Sequence, residues 1–168
     1  MSKTLLQINV TANWGSTGKI AEQIGLCAMA NGWKSYIAYG RMSNSSKNEL
    51  IKIGNMPQVY WHYVQNRLFD REGLASLCAT KQLVRKIKEI KPDVINLHNI
   101  HDHWLNYRIL FEYLNQTDIK VVWTFHDCWA FTGHCYHFVQ QNCMKWQTEC
   151  HDCVQRYKFI DRSRKTFY

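Results

Sequence analysis

A chain of 168 residues that is 46% hydrophobic and 20% charged carries enough apolar side chain for one sizeable core, which excludes a disordered or fibrous polymer. Lys and Arg outnumber Asp and Glu by 21 to 13, a formal net charge of +8, a sign that favours phosphates, acidic lipid headgroups or nucleic acid without choosing among them. No run of about 18 apolar residues is present to span a bilayer, and residues 1–5 lead into a strand without the apolar stretch of a secretory signal, so a cytoplasmic single domain over residues 1–168 is expected.

Residues 5–10 read as an apolar strand. After the turn Gly15-Ser16-Thr17-Gly18 a helical pattern puts Ile20, Ile24, Ala28 and Met29 on one face, and Gly32 closes it. Cys27 falls on that apolar face and Cys78 near a later helix start, as inert small hydrophobes. Residues 35–39 form a second strand, 43–48 a Ser/Asn-rich loop and 51–53 a short third strand. A helix then runs from Pro57 to about residue 69, the chain breaks at Gly73, and a further helix turns Leu83, Val84, Ile87 and Ile90 inward until Pro92 stops it. Residues 93–97 make the next strand, 104–114 another helix and 120–125 a buried strand. This alternation predicts an α/β fold, a Rossmann-like doubly wound and mostly parallel sheet with helices on both faces.

Three loops would leave strand carboxyl ends, where open α/β sheets bind ligands. Gly15, Ser16, Thr17 and Gly18 open a helix, so glycines admit an anion close to the backbone N–H groups and the helix dipole favours it. A P-loop is excluded, because Asn13 stands where its first glycine belongs and Ile20 where its hydroxyl belongs. The second loop, His98-Asn99-Ile100-His101-Asp102-His103, misses the H-x-H-x-D-H metal spacing at Ile100, which leaves hydrogen bonding as its chemistry. The third, His126-Asp127, sets a histidine beside a carboxylate, suited to moving a proton or binding a polyol near neutral pH.

A cysteine-rich segment covers residues 128–153. Its Cys135, Cys143, Cys150 and Cys153 suit a tetrahedral structural zinc in a reducing compartment, with His134, His137 or His151 as substitute ligands; a loop held by its cysteines is the alternative. The last residues carry Arg156, Lys158, Arg162, Arg164 and Lys165, a basic tail.

The order of Asn13-Trp14-Gly15-Ser16-Thr17-Gly18, then Asn96-Leu97-His98-Asn99-Ile100-His101, then residues 123–135 from Trp123 through His126-Asp127-Cys128-Trp129 to Cys135, resembles the N-terminal half of glycosyltransferase family 4. The match is nearest to members that build bacterial capsular polysaccharides and exopolysaccharides, and Lys145-Trp146 in the cysteine-rich tail is similar to theirs. The resemblance implies the GT-B architecture, in which two Rossmann-like domains face across a cleft and a sugar passes from a nucleotide-sugar donor to a glycan or lipid-linked acceptor with retention of configuration. It implies no catalytic metal or other cofactor. By resemblance Gly15, Ser16, Thr17 and Gly18 face the donor diphosphate, His126 is the catalytic-site residue that reaches the donor sugar, and His98, Asn99, His101 and Asp127 line the acceptor side.

The donor-binding C-terminal domain of that architecture is absent from these residues, so the chain by itself is expected to be inactive and to need that domain in cis or in trans. A peripheral contact with the anionic inner face of the plasma membrane is expected from the charge, and a nucleic-acid partner is not. Two other classes stay open: a zinc-stabilised nucleic-acid-binding module, and a partner-binding scaffold.

Overall fold

The computed structural model describes residues 2–132 and 135–148. Five strands, β1 (Thr4–Asn9), β2 (Lys34–Tyr39), β3 (Glu49–Lys52), β4 (Val94–Leu97) and β5 (Lys120–Trp123), form one sheet in the order β3-β2-β1-β4-β5, parallel throughout. The helices are α1 (Gly15–Ala30), α2 (Met56–Phe69), α3 (Leu77–Ile90), α4 (Tyr107–Leu114) and the short α5 (Trp129–Thr132), so the expected Rossmann-like α/β fold is present. No helix among the described residues is long and apolar enough to cross a membrane.

Strand alternation divides the core in two. Leu6 and Ile8 of β1, Ile95 and Leu97 of β4, and Ala38 of β2 face Val59, Leu83, Ile87 and Leu110 from α2, α3 and α4. On the opposite face Ile37 meets Ala21 of α1 in a much smaller cluster. Small residues explain that difference. The buried stripe of α1 is Gly18, Ala21, Glu22 and Gly25, and a Cβ on Gly25 would lie 1.8 Å from Asn48 Oδ1.

Ile20 therefore points to solvent, where the periodicity had turned it inward. The helix sits too close to the sheet for branched side chains, and Glu22 takes the buried position. Its carboxylate accepts from Ser46 Oγ, from Lys47 N at 3.2 Å and from Asn48 Nδ2 at 2.9 Å, which ties down the Ser/Asn-rich loop.

Cys27 and Cys78 are likewise exposed. Residues 120–125, expected to form a buried strand, differ most. β5 pairs with β4 alone and no described strand covers its outer edge, so Lys120, Val121 and Val122 are exposed and Phe125 projects beyond the strand. Helix α4 starts at Tyr107 rather than at 104, because the Asn106 side chain caps it by accepting from Ile109 N at 3.0 Å. Trp104 and Leu105 stay in the loop before it, fully buried.

Trp104 lies flat against Gly40 at the end of β2, where a Cβ would fall 2.3 Å from Cε3 of the indole. Gly40→Ala should therefore cost about 2 kcal/mol and lower Tm by roughly 4–8 °C. Thermal melts of the two proteins check this, and an unchanged Tm would show that the indole has room to move.

Candidate functional site

The site is organised by two amides inside β1. While Leu6 and Ile8 enter the main core, Gln7 and Asn9 point the other way and are fully buried. Gln7 Nε2 donates to Ala21 O of α1 at 2.7 Å, which turns its Oε1 toward His98 Nε2 at 3.1 Å. An amide oxygen can only accept, so His98 carries its proton on Nε2. Its Nδ1 is then a lone pair, 2.9 Å from His126 Nε2, which must be the donor. The two ring planes are inclined by only 12° with centroids 5.2 Å apart, so the bond runs edge to edge. Among the described residues nothing bonds His126 Nδ1, which is left as an acceptor beyond the carboxyl end of β5.

This tautomer chain requires neutral rings, and the surroundings supply them. Burial, reinforced by the neighbouring His126, pushes His98 down to about 4. Burial also lowers His126, outweighing the raising effect of Asp127, while His101 adds to the lowering. Near neutral pH the pair can accept a hydrogen bond from a hydroxyl or receive a proton, but carries no fixed positive charge.

Asn9 joins two of the three loops. Its Nδ2 donates to Thr11 O at 2.9 Å and its Oδ1 accepts from Asn99 N at 3.2 Å. Beyond it the chain turns sharply through Asn13 (φ 48°) and Gly15 (φ 65°) into α1. Gly18 is buried in this turn, where a Cβ would meet Thr11 Oγ1 at 2.8 Å and Asn13 N at 3.2 Å. Among the described residues no side chain caps α1, and no acidic residue occupies its first turn. Its N–H groups and the positive end of its dipole remain available to an anion, with Ser16 exposed and Thr17 half-buried beside them.

His101 and Asp127 form a second pair. His101 Nε2 donates to Asp127 Oδ2 at 2.9 Å, and Trp129 N donates to Oδ1 at 2.9 Å, so both carboxylate oxygens are engaged. Burial alone would raise the Asp127 carboxyl, yet the bond and charge of His101 and the Trp129 N–H hold it below the ordinary carboxylate range. His101 packs between Trp129 and Tyr136, with ring centroids at 5.2 and 4.7 Å. The structure thus brings His98, Asn99, His101, His126 and Asp127 together, but His98 and His101 lie beneath the surface and act through their partners.

Sequence reasoning missed Gln7 and Asn9, although two amides at alternate positions of an otherwise apolar strand were the available signal. It also missed a cluster at the end of β2. Arg41 pairs with Asp102 at 2.5 Å, and Asn66 Nδ2 donates to His103 Nε2 at 2.9 Å. Asp102 (φ 77°) and His103 (φ 66°) are consecutive left-handed residues, a strained arrangement that these side-chain bonds hold in place.

Of the four candidate zinc ligands, Cys135 and Cys143 are half-buried thiols. Cys150 and Cys153 lie outside the described residues, as do His134, His151 and the basic residues from Arg156 onward. The described part of this segment is held by an aromatic cluster, with Trp146 5.0 Å from Phe131 and 5.3 Å from Phe138. Among the described residues no three His, Cys, Asp or Glu side chains are placed to hold a metal ion.

Burial, reinforced by nearby His103, likewise holds His62 down to about 4; its Nδ1 meets Ser76 Oγ at 2.8 Å, and its Nε2 lies 3.2 Å from both Gly73 N and Arg71 O. The unfolded chain protonates His62 and His98 below pH 6.5, whereas the folded chain resists until about pH 4. Their contribution to stability is complete above the unfolded value and is lost as the pH falls through that window. Denaturant midpoints should therefore decline steadily from pH 6.5 to about pH 4, and a flat profile would contradict the burial of two neutral rings.

The model of Glycosyltransferase Family 4 matches residues 21–161, most of the chain. The glycine turn at 15–18 lies just before the matched span. The chain is also 28% identical over 164 residues to the putative colanic acid biosynthesis glycosyl transferase WcaC of Escherichia coli (strain K12), with 89% of this chain and 39% of that protein covered. It thus spans about two fifths of the length of that relative. A parallel sheet with an open helix N-terminus and a histidine network at its carboxyl edge accords with the family match: the chain belongs to glycosyltransferase family 4.

Proposed function

We propose that this chain is the acceptor-side Rossmann-like domain of a GT-B sugar transferase, passing a sugar from a nucleotide-sugar donor to a glycan or lipid-linked acceptor in bacterial surface polysaccharide synthesis. Family membership and the likeness to the colanic acid relative support the reaction class. The observation that carries the site assignment is the relay Gln7–His98–His126, which fixes an acceptor nitrogen at the carboxyl edge of the sheet.

In this reading His126 Nδ1 accepts a hydrogen bond from a hydroxyl of the transferred sugar. The N-terminus of α1, with Gly15, Ser16, Thr17 and Gly18, receives donor phosphate charge. Asn99 contacts substrate, while His98 sets the tautomer of His126, and His101 with Asp127 sets the loop that carries it. A second domain, in cis or in trans, supplies most of the donor site, so the described domain alone does not turn over. A structural zinc on Cys135, Cys143, Cys150 and Cys153 belongs to the same proposal; metal analysis after purification without chelator should find one per chain, and a zinc-free protein with free thiols would remove it.

Transfer measured with the donor-binding domain supplied by fusion tests the assignment. His126→Ala should reduce kcat/KM by roughly 10- to 100-fold, the loss of one hydrogen bond to the reacting sugar, with the protein still folded and its Tm lowered by only a few degrees because the buried His98 Nδ1 loses its donor. A folded variant that matches the parent would remove His126 from the site.

A further inference from the structure

Two cations crowd the carboxyl edge of the sheet beside the loop that follows β4. Gly40 and Arg41 follow β2, and Arg41 N donates to Val10 O at 2.9 Å, which anchors the residue where β1 also ends. From the end of β3 Lys52 reaches the same turn, its Nζ donating to Gly40 O at 2.6 Å and to Arg41 O at 2.5 Å, 4.8 Å from the centre of the Tyr39 ring. The guanidinium of Arg41 crosses to Asp102, in the loop that carries His98, Asn99 and His101.

One acid faces these two cations. Among the described residues Asp102 alone pairs with either of them, and its other oxygen lies 3.6 Å from His103 Nδ1. Burial, reinforced by the charge of Arg41, pushes the Lys52 ammonium below its ordinary value, so positive charge here lacks compensation. Asp102 also takes only the Nη1 arm of the guanidinium, although the fork of an arginine can serve two oxyanions or grip one with two parallel bonds. Nη2 bonds nothing among the described residues, and the side chain is 31% exposed, so that arm is open to solvent. A pair that only braced the loop would be complete without the second cation.

We propose that Arg41, backed by the charge of Lys52, binds an oxyanion of the acceptor, the carboxylate of an acidic sugar or a phosphate of a lipid carrier. The word acceptor rests on the transferase reading above, because Asp102 shares its loop with the residues assigned to that side of the cleft. Asp102 then holds Nη1 in place and leaves Nη2 to the ligand. Lys52 adds attraction and fixes the Gly40–Arg41 turn through the two carbonyls it bonds.

Titration of the full chain at constant ionic strength, followed at the Arg41 Nε–H and Lys52 Cε resonances, tests this with no sugar donor present. The probes are methyl glucuronide, its neutral counterpart methyl glucoside, and inorganic pyrophosphate. At least one anionic probe should shift the Arg41 resonance and raise the pKa of Lys52, and the glucoside should do neither. A response to the glucuronide alone assigns an acidic sugar, and one to pyrophosphate alone a carrier phosphate. Arg41→Gln, read at Lys52, should weaken binding about tenfold or more by removing the charged fork. Asp102→Asn should tighten it severalfold, since asparagine tolerates the left-handed backbone there and no longer competes for the guanidinium. No response to either anion would overturn the proposal, as would a folded Arg41→Gln that binds like the parent. Should that variant not fold, an Asp102→Asn that fails to tighten binding overturns it. Binding is read here without transfer, so this assignment can fail while the His126→Ala assay stands, and the reverse.

Discussion

The buried Gln7 side chain is the joint on which the site depends. One amide reaches α1 through its nitrogen and β4 through its oxygen, so the placement of the first helix and the proton on His98 are set by the same group. A buried amide that lost either partner would leave a desolvated polar atom costing about 1–3 kcal/mol. This cost holds the orientation firmly enough to transmit it through His98 to His126. The neutral state of both rings follows from burial, and with it the role of His126 as an acceptor rather than a cation.

Close approach does the rest of the positioning. The glycine and alanine stripe of α1 lets the helix settle on the sheet, and the buried Glu22 holds the 43–48 loop to it. On the other face α2, α3 and α4 build the large core that stiffens β1 and β4, whose carboxyl ends carry the site. The strained Asp102-His103 step lies between them, tied to β2 through Arg41 and to α2 through Asn66. Helix α2 thus meets the His103 step through Asn66 and offers solvent an aromatic outer side.

Most of the fold was legible in the sequence because the strands are short apolar runs punctuated by Gly and Pro, and α3 and α4 have strong periodicity. The gathering of His98, Asn99, His126 and Asp127 was also legible, since parallel strands deliver their following loops to one edge. Ile20 and β5 were misjudged for a common reason. Periodicity reports which side chains are apolar, whereas burial depends on what packs above them, and neither the tight seat of α1 nor the uncovered edge of β5 is written in local pattern. The division of labour between His98 and His126 could not be read either, because it depends on Gln7, 91 residues from His98 in sequence.

Long-range proton–nitrogen correlation of the imidazole rings reads the protons on His98 and His126 directly. At neutral pH the account predicts that His98 and His126 are both neutral and both protonated on Nε2, with the Nδ1 of His126 free to accept. A His126 ring protonated on Nδ1, or a charged ring at either position, would contradict it.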